Sequence, residues 1–151
     1  ALALLKDASD AERQILGGIA YQKNEVILHT DERILPQRKA AWAAWNYHLT
    51  DAASSHATLS YNMNILQGIQ APVTFVVTLN HSHAIDQSKI LKRFVYDHPV
   101  FNHCTIASQQ RRSEINGVNN SWFCGAYWYN GFHEDGVRSA VDIARAMGVE
   151  F

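Results

Sequence analysis

The sequence predicts an α+β fold, a mostly antiparallel sheet with flanking helices, on three observations. Five short segments alternate apolar and polar residues at the period of a strand. A segment near the start and one near the end carry helical spacing and helix-boundary signals instead. No internal repeat, low-complexity tract or linker divides the 151 residues.

The first helix is signalled by Ser9-Asp10-Ala11-Glu12, the spacing of a capping box. Ile15, Leu16 and Ile19 follow on one face, and Gly17-Gly18 provide an exit. The five strand segments are 24–30, 41–49, 57–63, 73–79 and 89–96. In the second, Trp45, Tyr47 and Leu49 oppose Trp42, Asn46 and His48; in the third, Leu59, Tyr61 and Met63 oppose Thr58, Ser60 and Asn62. A polar loop, Thr50 to His56, joins these two as an antiparallel pair. Trp42, Trp45, Tyr47 and Tyr61 are expected mostly in the sheet core. Residues 105–115 read as a polar helix anchored by Ile106 and Ile115, with Arg111-Arg112 on its solvated face. Ser121 to Trp128 reads as a buried strand, and 131–135 as a loop. Residues 137–147 read as an amphipathic helix, with Val137, Val141 and Ala144 on one stripe and Gly148 at its end.

Composition narrows the function classes. Charged residues make up 18% and the formal net charge is −1, so no global field recruits nucleic acid or an anionic membrane. No apolar run reaches the ~18 residues of a membrane span, and Ala1 to Leu5 lacks the basic start of a signal peptide. Cys104 and Cys124 allow a disulfide, but two free thiols in a cytoplasmic protein are the expectation. The chain opens inside an apolar stretch with neither Met nor cap, which suggests a piece of something longer.

The stretch from Trp122 to Ala140, WFCGAYWYNGFHEDGVRSA, carries the chemistry. It reads as strand, glycine-containing loop and helix start. Gly125 lets the backbone approach a ligand, and Gly136 removes a side chain from the first helical turn. Free N–H groups and the positive end of the helix dipole favour an anion or an electron-rich carbonyl there. A tight turn that needs small residues would give the same pattern.

This stretch resembles the C-terminal flavin-binding motif of FAD-dependent amine oxidases and related desaturases, in which Phe-x-Gly ends a strand and a later Gly begins the last helix. The resemblance is closer to a bacterial branch of predicted NAD/FAD-binding proteins. It extends over His29-Thr30-Asp31, Trp45-Asn46-Tyr47, Tyr61-Asn62-Met63-Asn64, His98-Pro99-Val100-Phe101 and Glu114-Ile115-Asn116-Gly117. It implies a substrate-side sheet domain over 1–115 and a FAD-binding strand, loop and helix over 116–151. Gly125 and Ala126 would lie near the ribityl–pyrophosphate chain. Gly136 and Val137, with Arg138 behind them, would offer backbone N–H groups to the pyrimidine side of the isoalloxazine. The wider family often has an acidic residue where this chain has Ala126, so a hydrogen bond to the cofactor's sugar-like chain would need Glu134 or Asp135 to substitute.

The G-x-G-x-x-G that holds the ADP half of FAD is absent, because Gly17-Gly18 has no Gly partner at the required spacing. The chain is therefore expected to complete a flavin site, to bind FAD weakly or not at all alone, and to have no turnover of its own. The intact protein would oxidise or desaturate a small-molecule substrate; no catalytic residue is singled out. The expected partner is the missing N-terminal domain or a second copy in a homodimer. The alternative is a non-catalytic α+β module that binds a small apolar ligand or a partner chain. Some of the aromatic residues would then line a ligand cavity, as they would over a flavin. His81-Ser82-His83, with His29 or His48, suggests a zinc site, but a polar loop is the expected reading and no metal is assigned.

Overall fold

The computed structural model describes residues 1–49 and 57–150. The loop expected over Thr50 to His56 lies outside them. The architecture is α+β: helices α1 (Asp10–Gly17), α2 (Met63–Gln67), α3 (His103–Gln110) and α4 (His133–Ala146), and strands β1 (Tyr21–His29), β2 (Trp45–Tyr47), β3 (Leu59–Asn62), β4 (Val76–Leu79) and β5 (Ile90–Pro99). The strands form one antiparallel sheet in the order β2-β3-β4-β1-β5. Among the described residues no helix is long and apolar enough to cross a membrane.

The chain divides into two compact units, Ala1–Gln22 with His98–Phe151, and Lys23–Asp97. The boundary expected at 115/116 falls inside the first of these units. Ile115, just before it, sits in a cluster with Ile15, Leu16, Ile19, Phe123 and Trp128. Removing Ile115 from these partners would expose a fully buried branched side chain.

In the first unit α1 starts as its sequence demands. The Ser9 N–H donates to Glu12 Oε2 at 2.7 Å, and the Glu12 N–H donates back to Ser9 Oγ at 3.3 Å. Both orphan donors are satisfied, and Ile15, Leu16 and Ile19 are buried as expected. Asn102 caps α3 by accepting from the Thr105 N–H at 3.0 Å. The polar helix expected over 105–115 ends early, at Gln110, and a 3-10 turn, Arg112–Glu114, follows. Ile115 is an anchor; Ile106 is exposed.

The second unit holds the pairings that define the sheet. β2 and β3 pair antiparallel, with Trp45 opposite Tyr61 and Tyr47 opposite Leu59. β3 and β4 set Tyr61 against Val77 and Leu59 against Leu79; β4 and β1 set Leu79 against Val26 and Val77 against Leu28. This register gathers every one of these apolar side chains on one face. The other face carries Asn46, Ser60, Asn62 and Thr78, all buried, beside Ile27 and His29.

The burial is therefore inverted relative to the sequence expectation. Trp45 is 49% exposed and Tyr47 64%, while the polar residues between them are inside. An alternating strand does not say which face is buried when the polar side chains can satisfy one another. Here Ser60 Oγ lies 2.7 Å from Thr78 Oγ1, and the amides use the backbone: Asn46 Nδ2 donates to Ala43 O at 2.7 Å, and Asn62 Oδ1 caps α2 by accepting from the Ile65 N–H at 3.2 Å.

Candidate functional site

The predicted strand over Ser121–Trp128 is not formed. Ser121 makes a single bridge to Val118, residues 122–124 have no regular structure, and Ala126–Trp128 is a 3-10 turn. The break is at Gly125, whose φ of 150° is rare for any L side chain. A Cβ there would meet Tyr127 Cε1 at 2.3 Å. The turn is then held from outside: Gln109 Nε2 donates to Tyr127 O at 2.8 Å and to Tyr129 O at 2.7 Å. Trp128 is buried, and its indole N–H donates to Phe123 O at 2.8 Å. Burial pushes the Tyr127 phenol up to about 12.

α4 starts at His133, four residues earlier than the helical stripe alone implied. Asp135 makes the difference. Its carboxylate accepts the Asn130 N–H at 3.1 Å and the Phe132 N–H at 2.9 Å, which fixes the chain entering the helix. Asp135 is thus committed locally, and of the two acids weighed as substitutes at Ala126 only the exposed Glu134 stays open.

Three of the five predicted residues come together. A Cβ on Gly136 would sit 3.8 Å from Ala126 N, so the first turn of α4 lies against the 3-10 turn. The Gly125 N–H donates to Ser139 Oγ at 2.8 Å, and the Ser139 hydroxyl donates to Gly136 O at 2.8 Å. The fully buried Ser139 therefore ties the two glycines to each other. The Gly136 N–H itself donates to Phe132 O at 3.2 Å. The amides without a helical acceptor lie earlier in the turn, at His133 and Glu134.

Val137 and Arg138 point elsewhere. Val137 is 57% exposed, and the Arg138 guanidinium lies 4.1 Å from the centre of the Tyr129 ring. The inward face of α4 is polar: Asp135, Ser139 and Asp142, spaced i, i+4, i+7, bond to the preceding turn. The stripe of Val137, Val141 and Ala144 lies on the other side of the helix.

Arg112 was expected on a solvated face and is instead only 15% exposed. It donates to Asp142 Oδ2 at 3.0 Å and Ser139 O at 2.7 Å, and lies 5.6 Å from the Trp128 ring centre. Tyr129 also donates to Asp142, and these two donors hold the Asp142 carboxyl below the usual range. A cavity of about 470 Å³ opens beside this cluster, walled by Trp122, Ile143 and Ala146. None of the five predicted residues lines it. The sequence offered no signal for Arg112 beyond the aromatic pair Trp128-Tyr129.

The histidines of the second unit cluster but in an unexpected way. His48 stacks on His81 with ring centres 5.3 Å apart, and His81 meets His83 at 4.6 Å. No group of three or more His, Cys, Asp or Glu among the described residues is arranged to hold a metal ion. Cys104 and Cys124 are both free and exposed.

No family model matches the chain, and no curated protein matches it.

Proposed function

We propose that the chain is the C-terminal portion of a flavin-dependent oxidoreductase of the amine-oxidase or desaturase type. The observation that carries the reading is the approach of Gly125 and Ala126 to Gly136. At a 125–136 spacing that resembles the flavin motif, a small-residue surface meets the positive end of a 14-residue helix. The residues fit the cofactor in kind at Gly136, where no side chain stands in the first turn of the helix; the departure is Ala126, where the family often has an acidic residue. FAD, where bound, supplies hydride acceptance at N5. The chain's own part is to hold the flavin near the start of α4, with Gly125 and Ala126 beside the ribityl–pyrophosphate chain and the first turn at Gly136 and Val137, with Arg138 behind, toward the electron-rich edge.

The proposal includes a small-molecule substrate, a cytoplasmic location and either an N-terminal dinucleotide-binding domain or a second copy as partner. The outward stripe Val137, Val141 and Ala144 and the open aromatic face of the sheet are the surfaces such partners or substrates would cover. A second reading, a non-catalytic module for an apolar ligand, is favoured by Trp45 and Tyr47, 49% and 64% exposed on the sheet face that also carries Leu59 and Tyr61.

The test is the flavin absorbance-to-protein ratio after desalting. The chain alone should purify colourless. The protein that also carries a Rossmann segment should be yellow, and Gly136→Asp should remove most of that colour by placing charge and bulk at the flavin edge. A stoichiometrically yellow isolated chain, or an intact Gly136→Asp protein that keeps its flavin, contradicts the reading.

A further inference from the structure

A hydrogen-bonded chain of four side chains crosses the buried face of the sheet, and its direction follows from one backbone donor. The Asp31 N–H donates to His29 Nδ1 at 3.0 Å, so the proton of neutral His29 sits on Nε2. His29 Nε2 lies 2.8 Å from Thr78 Oγ1 and must donate to it. Thr78 Oγ1 lies 2.7 Å from Ser60 Oγ, and Ser60 Oγ lies 2.8 Å from His48 Nε2. Thr78 and Ser60 are fully buried. Among the described residues, the Thr78 hydroxyl, having accepted from His29, has only Ser60 to donate to, and Ser60 then has only His48. The chain thus runs from His29 to His48, and it requires His48 to be neutral, with its proton on Nδ1.

His48 sits where this constraint meets the sheet edge. It follows β2, and its backbone N–H donates to Thr58 O at 2.9 Å, the last pairing of β2 with β3. Its ring stacks on His81, which in turn meets His83. His81 Nδ1 is buried without a hydrogen-bond partner. The titratable groups around the chain, among the described residues, are these: His29 and Asp31 from β1 and its end, His81 and His83 from the turn after β4. The Asp31 carboxylate is taken by Arg33 at 2.6 Å and by the Asp86 N–H at 2.9 Å. None of the described carboxylates forms an ion pair with His48, His81 or His83. Burial lowers the affinity of His48 and His81 for a proton, and for His81 the neighbouring His83 and His48 add to this.

We propose that His48 is an acid-sensitive latch on the β2 edge of the sheet, locked by the one-way hydrogen-bond chain and opened by protonation. A proton on His48 Nε2 turns that atom into a donor. Ser60 then either accepts from both His48 and Thr78 or donates back to Thr78, and in either case one buried hydroxyl proton is left with no acceptor. The charge also arrives against the stacked His81. Both effects are relieved when the end of β2 leaves β3, and with it move Trp45 and Tyr47, the exposed aromatics of the opposite face. This mechanism does not depend on the flavin reading, since all its groups lie in residues 29–83.

Imidazole nitrogen NMR on the full chain tests it directly. At pH 7.5, His29 should carry its proton on Nε2 and His48 on Nδ1. Amide exchange at Asn46, His48 and Ser60, corrected for intrinsic rates, should rise at least tenfold between pH 7.5 and 5. In His48→Gln, which keeps an acceptor that does not titrate, the rise should disappear. His48 protonated on Nε2 at neutral pH would overturn the proposal, and so would exchange that ignores pH in the wild type. Acid opening retained in His48→Gln would place the sensor elsewhere and overturn it as well.

Discussion

The Gly125 N–H and the Ser139 hydroxyl oxygen lie 2.8 Å apart, and this bond joins the turn after Phe123 to the inner face of α4. Ser139 donates onward to Gly136 O, so one buried hydroxyl holds both glycines. Ser139→Ala should leave the Gly125 N–H without a partner and cost about 1–3 kcal/mol. Gly125→Ala should cost more, because it adds a Cβ at φ 150° and into the Tyr127 ring. Urea midpoints for the two variants check this. A Gly125→Ala protein as stable as wild type would mean that the turn is not built as described.

A second prediction concerns pH. Burial holds the fully buried His29 down to about 4, although its Asp31 neighbour pulls the other way. An unfolded histidine takes up its proton near pH 6.5. Between those values the unfolded chain binds more protons, so stability is complete above about pH 6.5 and declines as the pH falls toward 4. The full decline from this one group is at most about 3 kcal/mol. Asp31 acts in the same direction but lower, because its carboxyl, held down first by hydrogen bonds from Arg33, loses its stabilising charge only below the usual carboxylate range. Denaturant unfolding at pH 7.5, 6 and 4.5 should show the decline already under way by 4.5. Midpoints that do not move over this interval would mean that His29 is not a buried neutral imidazole.

Local signals in the sequence translated well and distant ones did not. The Ser9–Glu12 box, the buried Ile15-Leu16-Ile19 face and all five strands are encoded within a few residues, and each is present. Residues 121–128 failed for a physical reason. An aromatic run satisfies strand propensity, but its carbonyls are taken by Gln109 from another element, and Gly125 breaks the extended path. No spacing within the run reveals that. Trp45 and Tyr47 were expected in the sheet core, yet polar side chains fill much of the buried face of the sheet and the inner face of α4. Hydroxyl, amide and carboxylate groups there bond to partners far away in sequence, as Thr78 does to His29 and Ser139 to Gly125. Gly125 and Gly136 were legible because the lack of a side chain is a property of one residue, and only Gly125 also takes a positive φ. Arg112, Ser139 and Gln109 were not, because their roles depend on what the fold brings to them.

The polar inner face of α4 motivates the last prediction, which concerns association. On α4 the residues Asp135, Ser139 and Asp142 face the protein, and Val137 faces away with more than half its surface exposed. The helix therefore presents Val137 outward with Val141 and Ala144 partly buried beside it, and covering this side with another surface would be favourable by about 25 cal/mol per Å². We expect the isolated chain, 17.0 kDa as a monomer, to self-associate through this stripe. Val137→Lys removes apolar surface without touching a buried contact, so its stability should stay within about 0.5 kcal/mol of wild type. It should nevertheless shift the chain toward monomer. Ser139→Ala gives the opposite pattern, weaker folding with association retained, because Ser139 lies on the inner face. Light scattering over a hundredfold range of concentration separates the cases. A wild-type chain that stays monomeric throughout would show that the outward stripe needs no second copy to cover it.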